Sequence, residues 1–207
     1  MNWKNNYFIF LEIVFVLAGI FALLVFPKGE LELIINQRIT SLILDQVFKY
    51  FTHLGDGLII LPLLVSLLFI KYKYAAVLAI SSLYQLILVN VNKRIIFSDV
   101  VRPKVFLEGH TLHLVDGVEV HNYNSFPSGH TTTAFAVFLL LSLIVKEKKW
   151  SVLFFILSLS VGFSRIYLLQ HFFVDVYAGS IIGCLSTIMA WYTATKINHP
   201  KLEGKLG

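Results

Sequence analysis

The stretch Ser164-Arg165-Ile-Tyr-Leu-Leu-Gln-His171-Phe-Phe-Val-Asp175 sets an arginine, a histidine and a carboxylate into otherwise apolar sequence. His171 and Asp175 are four apart, so on a helix they share one face. The carboxylate can then accept from one ring nitrogen and leave the other as a lone-pair nucleophile. Arg165 lies upstream and offers the planar fork that suits phosphate oxygens. Alone, this pattern could equally be a buried His–Asp pair that satisfies itself, with Arg165 snorkelling to a membrane surface.

A second cluster favours chemistry. Phe126-Pro127-Ser128-Gly129-His130 is followed by three threonines and a long apolar run, which reads as a turn feeding into a helix. Ser128 and Gly129 then fall at the helix N-terminus, where free backbone N–H groups and the dipole bind an anion. A third cluster, Lys93-Arg94 followed by Arg102-Pro103, supplies cations just before that turn.

The set Lys…Arg-Pro, Pro-Ser-Gly-His and Ser-Arg-x5-His-x3-Asp resembles the type 2 phosphatidic acid phosphatase family of membrane lipid phosphatases, relatives of the soluble vanadium haloperoxidases. The second and third motifs match without a gap. In the first, eight residues separate Lys93 from Arg102 and seven separate Arg94 from it, a longer spacing than is usual in the family. On a helix, Lys93 and Arg94 diverge by about 100 degrees, so only one can face the pocket. Lys93 is the expected ligand, with Arg94 pairing with Asp99 or lipid headgroups and the extra residues absorbed between Ser98 and Val101.

The resemblance assigns roles that agree with the residue types. His171 is the expected nucleophile, giving a phosphohistidine intermediate, with Asp175 fixing its tautomer. His130 protonates the leaving oxygen and then activates water. Lys93, Arg102, Arg165, the Ser128 hydroxyl and the Gly129 N–H hold the phosphate oxygens. The resemblance also implies no metal and no cofactor. Two other readings compete: a vanadate-dependent haloperoxidase, whose relatives are soluble, and a membrane scaffold with a degenerate site.

Composition places these residues in a bilayer. A chain of 207 residues that is 57% hydrophobic and 14% charged, with mean hydropathy +0.77, carries too much apolar surface for a soluble domain. One domain over residues 1–207 is expected for this length. The net charge of +5 does not point to nucleic acid, because the lysines sit dispersed at the ends of apolar runs. Cys184 lies in an apolar run as a packing residue and allows no disulfide framework.

The elements that must position the motifs follow in order. Tyr7 to Phe26 is an apolar run long enough to span, without the flanks of a cleaved signal peptide. It contains Glu12, an intramembrane carboxylate read either as functional or as a helix-packing residue. Glu30 to Phe51 shows apolar residues at helical spacing between polar ones and is predicted as one amphipathic interfacial helix. Further spans are predicted over Leu58–Ile70, Tyr74–Asn92, His130–Val145, Trp150–Leu168 and Phe172–Thr193. The expected architecture is thus an all-α polytopic membrane bundle of six transmembrane helices.

Thr111 to His121 alternates around Asp116-Gly117, a signal for a tight turn, and predicts a small β-hairpin over the site. His110, His113 and His121 are read as solvated loop histidines, since no carboxylate or thiol completes a metal set at ligand spacing. His53 is read as a polar loop residue. Lys4, Lys71, Lys73, Lys146, Lys148, Lys149, Lys196, Lys201 and Lys205 gather on the side of the termini, while acids match the cations of the other side. The positive-inside rule then puts both termini in the cytoplasm of a bacterial inner membrane and the motifs on the outer face. A membrane lipid phosphate is the expected partner there.

Overall fold

The computed structural model describes residues 6–145, 147–197 and 199–206. Lys4 and Lys146, two lysines of the charge argument, lie outside them. The helices are α1 Tyr7–Val25, α2 Glu30–Arg38, α3 Leu42–Phe51, α4 Ile60–Leu68, α5 Tyr72–Val91, α6 Pro103–Phe106, α7 Gly129–Ile144, α8 Lys148–Tyr167 and α9 Phe173–Ile197. No strand occurs among the described residues.

The centre of the bundle is α7, which packs against α1, α5, α8 and α9. Ten of its sixteen residues are buried, Phe135, Leu139 and Leu140 completely or nearly so. Helices in lipid gain little from apolar burial itself, so close contact and polar glue must hold them. Both are present. A Cβ at Gly183 would fall 2.4 Å from the Thr132 carbonyl oxygen, and one at Gly179 would fall 2.8 Å from that of Ser128. These two glycines, one turn apart on α9, let it press onto the first turns of α7. Thr187 adds a three-helix tie: its hydroxyl donates to the Ala136 carbonyl at 3.0 Å and lies 3.1 Å from the Ser81 hydroxyl.

Among the described residues, four helical segments are long and apolar enough to cross a membrane: α1, Tyr72–Ile96, α8 and α9. Leu42–Gly55 and Gly57–Leu68, bent by 53° at Asp56, qualify together as one broken span, which brings the number to five. The expected six differs for two physical reasons. Leu58–Ile70 holds only nine α-helical residues of its own, in α4, and α7 has sixteen.

The single amphipathic helix expected from Glu30 to Phe51 is also revised. It breaks at Ile39–Ser41, where Ser41 turns extended and its hydroxyl accepts the Leu44 N–H at 3.3 Å, starting α3. One consequence bears on the site: α2 is freed to bring Glu32 under α9, where Glu32 Oε1 accepts the Phe173 N–H at 2.6 Å.

The segment 111–121 makes the Asp116-Gly117 turn, with Gly117 at φ 71° and the Val118 N–H donating to the Val115 carbonyl at 3.2 Å. Its arms do not pair as the expected hairpin. Side chains from elsewhere take their backbone groups instead. The Asn36 amide donates to the His113 carbonyl at 2.7 Å and accepts the His113 N–H at 2.9 Å. Lys49 Nζ donates to the Asp116 carbonyl at 2.6 Å, and Gln170 Nε2 to the Glu119 carbonyl at 2.6 Å. The result is an irregular strap across the end of the bundle.

Candidate active site

At that end of the bundle lies a cavity of about 620 Å³, lined by Lys93, Arg102, Gly129, His130, Arg165 and His171 among others. They come from four local devices. Lys93 sits in a five-residue π-helical turn, Asn92–Ile96, that widens the end of α5; its closing bond runs from the Phe97 N–H to the Asn92 carbonyl at 2.7 Å. Such widened turns rotate the following residues and often mark functional sites. The extra residues of the first motif are taken up here and in a turn at Ser98-Asp99, where the Val100 N–H donates to the Phe97 carbonyl at 3.3 Å. Lys93 lines the cavity, whereas Arg94 is exposed and makes no ion pair with Asp99 among the described residues.

Arg165 ends α8, and His171 follows through a reversal in which Leu169, a buried non-glycine residue, is held at φ 52°. A left-handed conformation of this kind costs on the order of 1 kcal/mol and persists only where its surroundings impose it. Here the Gln170 and His171 N–H groups both donate to the Arg165 carbonyl, at 2.9 and 3.1 Å. The turn thus brings the arginine and the histidine to one cavity. The helix expected to carry both His171 and Asp175 begins only at Phe173. Their contact forms nonetheless, with His171 Nδ1 3.2 Å from Asp175 Oδ2.

Asp175 is fully buried, and the same Oδ2 accepts the Ser125 hydroxyl at 2.5 Å and the Phe172 N–H at 2.9 Å. A carboxylate acceptor at Nδ1 fixes the proton there and leaves the Nε2 lone pair towards the cavity. Arg102 Nη1 stands 3.4 Å from that Nε2. Burial first, then the charges of Arg102, Lys93 and Arg165, hold the His171 ring well below its usual range, so it is neutral at physiological pH.

Arg102 is itself 6% exposed and held by neutral acceptors. Its Nε donates to the Tyr123 carbonyl at 3.0 Å and its Nη1 to the Gln170 carbonyl at 2.8 Å and the Gln170 side-chain Oε1 at 3.1 Å. Burial lowers its pKa, and Asp175 opposes that shift. Arg165 Nη1 donates to the Thr52 hydroxyl at 2.6 Å, while its buried Nε has no acceptor among the described residues.

Ser128 is placed differently from its expected role. It is fully buried, does not line the cavity, and its hydroxyl serves as the N-cap of α7, accepting the Thr131 N–H at 3.4 Å and the Thr131 hydroxyl at 2.8 Å. Its backbone N–H donates to the Asp175 carbonyl at 3.0 Å, which locks the starts of α7 and α9 together. Gly129 and His130, one position further on, do face the cavity.

Sequence reasoning missed Ser125, Thr52 and Gln170, none of which belongs to a local pattern. It also read His53 as a loop residue, yet His53 and the neighbouring Asp56 line the cavity. His113 is a partly exposed loop histidine that also has a partner: its Nε2 lies 2.9 and 3.0 Å from the two Asp45 oxygens, and Tyr167 donates to Asp45 Oδ1 at 2.6 Å. His121 is exposed, 3.7 Å from Glu119. Glu12 is buried on α1, with neither oxygen hydrogen-bonded among the described residues.

A bundle of apolar helices that sets Lys93, Arg102, Arg165, His130 and His171 around a cavity at one end, with Asp175 buried against His171, is a multi-pass membrane protein with an anion pocket. A family model described as PAP2 superfamily matches residues 71–199, and the chain belongs to that family. It is 40% identical over 75 residues to the bacitracin transport permease protein BcrC of Bacillus licheniformis, a match covering 36% of this chain and 36% of that protein. The chain therefore aligns with about a third of the length of that relative.

Among solved structures, LpxE of Aquifex aeolicus superposes with a TM-score of 0.71 at 28% identity, over 81% of this chain and 97% of that one. The PAP2-type phosphatidylglycerolphosphate phosphatase of Bacillus subtilis superposes with a TM-score of 0.63 at 24% identity, over 97% and 100%. The second likeness is one of fold.

Proposed function

We propose that this chain is one membrane-embedded phosphatase domain that hydrolyses a phosphate monoester or diphosphate of an envelope lipid. The observation that carries this reading is the orientation of His171: Nδ1 on Asp175 and Nε2 towards a cavity lined by Lys93, Arg102 and Arg165. A neutral imidazole aimed at an anion pocket is suited to attack phosphorus.

In the proposed cycle, Nε2 of His171 bonds to phosphorus as the bond to the leaving oxygen breaks, and His130 delivers a proton to that oxygen. The phosphohistidine is then attacked by water, whose proton passes to His130, and inorganic phosphate leaves. Asp175 stabilises the imidazolium formed in the first step. Lys93, Arg102, Arg165 and the Gly129 N–H meet the developing charge on the phosphate oxygens. The Ser128 hydroxyl acts on this site through the helix start it caps.

Further parts of the proposal concern the membrane. Six passes, counting α4 and α7 as spans, keep both termini in the cytoplasm of a bacterial inner membrane and open the cavity to the periplasm. The long apolar helices around the cavity support a lipid phosphate, whose tail can stay in hydrocarbon while its headgroup meets the cations. No metal is required, because cationic side chains neutralise the phosphate.

The test is phosphate release by the purified chain in detergent from phosphatidylglycerophosphate, phosphatidate, undecaprenyl diphosphate and lipid A phosphates, with and without chelator. Release from at least one lipid, unchanged by chelator and inhibited by vanadate, is expected. Activity confined to soluble esters overturns the lipid reading, and strict magnesium dependence overturns the metal-free mechanism.

A further inference from the structure

Gln170 is 3% exposed, and its side chain joins two parts of the site, the Arg102 guanidinium and the strap. Its Oε1 accepts from Arg102 Nη1 at 3.1 Å, and its Nε2 donates to the Glu119 carbonyl at 2.6 Å. The orientation of this amide is dictated by its partners, since a guanidinium only donates and a carbonyl only accepts. Glutamine is suited to this place because one end of its amide accepts and the other donates. Glutamate would keep the first bond, neutralise Arg102 and set a charge against a carbonyl oxygen. Leucine would lose both bonds.

Arg102 has no carboxylate partner within ion-pair distance among the described residues. A buried cation held by neutral oxygens keeps its charge for an anion, but its fork must be aimed. Gln170 supplies two of the acceptors that aim it, through its carbonyl and its side chain. The strap residues Gly117, Val118, Glu119 and His121 line the same cavity. One amide therefore touches both the Arg102 guanidinium and the strap that lines the same cavity.

We propose that Gln170 is a positioning residue that fixes the Arg102 fork for the phosphate and ties the 117–121 strap to it, so that anion binding and ordering of the strap are one event. This rests on the reading of Arg102 as a phosphate ligand. Gln170 acts through Arg102 and takes no part in proton transfer.

The experiment uses the full chain in detergent, with vanadate as the probe anion. Gln170→Leu should weaken vanadate inhibition and raise KM by about tenfold, the scale of one hydrogen bond to a charged group. Its kcat at saturating substrate should change by less than threefold. Gln170→Glu should weaken vanadate at least as much, and Gln170→Leu should add almost nothing in an Arg102→Lys background. Unchanged vanadate affinity in Gln170→Leu, or full additivity with Arg102→Lys, overturns the proposal.

A measurement on the unmodified chain keeps the test independent of whether the variants fold. Vanadate should slow amide hydrogen exchange across residues 117–121, and exchange there that ignores bound vanadate overturns the coupling. If the unmodified chain neither binds vanadate nor releases phosphate, the phosphatase reading itself fails and takes this one with it.

Discussion

The Ser125 hydroxyl donates to Asp175 Oδ2 across 2.5 Å, so a loop residue just ahead of α7 steadies the carboxylate that orients His171 from the first turn of α9. Ser125 is fully buried and has no contact with the cavity. Ser125→Ala should lower kcat by about tenfold, equivalent to one lost hydrogen bond to a charged group, and leave KM within about twofold. Kinetics on a lipid phosphate check this; a rise in KM with kcat intact would assign Ser125 to binding instead.

Lys93 faces the cavity and Arg94 does not. Lys93→Ala should therefore reduce turnover by about a hundredfold or more, as expected for a partly buried cation that would meet transferring phosphate charge. Arg94→Ala should change it by less than threefold. The reverse ranking in the same phosphate-release assay reassigns the first-motif ligand.

His171→Ala and His130→Ala should both abolish hydrolysis of a lipid phosphate but differ on an activated aryl phosphate. A good leaving group needs no proton, so the His130 variant should recover part of its rate, while the His171 variant cannot form a phosphoenzyme. Equal loss on both substrates would remove the distinction between nucleophile and acid.

Because the folded-state pKa of His171 is depressed, the neutral ring persists as pH falls through 6.5 and is lost only below it. Turnover of a lipid monophosphate and a lipid diphosphate, compared between pH 5 and 8, should show acid limbs that follow each substrate's own ionisation. A common limb near 6.5 on both substrates contradicts a neutral His171.

Glu32 is 2% exposed, and burial raises its pKa while the Phe173 N–H opposes the shift. Its contact caps the start of α9, so Glu32→Ala should cost about 1 kcal/mol and lower the melting temperature by about 2–4 °C. Glu32→Gln keeps an acceptor and should lose less. Thermal melts of the three proteins in detergent decide; equal melts for alanine and glutamate leave the cap without energetic weight.

What the sequence made legible followed chain distance. His171 and Asp175 are four apart, and Pro127 to His130 is one turn and one helix start, so local rules reached them. Ser125 meets a carboxylate 50 residues away, Thr52 meets Arg165 at a separation of 113, and Gln170 meets Arg102 at a separation of 68. Nothing in their neighbourhoods marks such partners. The Asp116-Gly117 turn was readable, but strands on either side need each other, and the arms are taken by Asn36, Lys49 and Gln170. The break before α3 did carry a local signal, Ser41 ahead of an apolar run, which the amphipathic periodicity overrode.

The sixteen residues of α7 measure about 24 Å at 1.5 Å per residue, whereas a bilayer's hydrocarbon layer is about 30 Å thick. Gly129 and His130 ride on the first turn of that helix, so hydrophobic mismatch acts at the pocket itself. Its neighbours α1, α5, α8 and α9 enclose it, so with its far end at one surface its first turn, and the cavity mouth with it, would sit recessed by about one turn from the other. On the proposed function, a phosphate carried on a lipid would travel down to His130 with its tail still in hydrocarbon, and bilayer thickness would become a variable of the reaction alongside pH and salt.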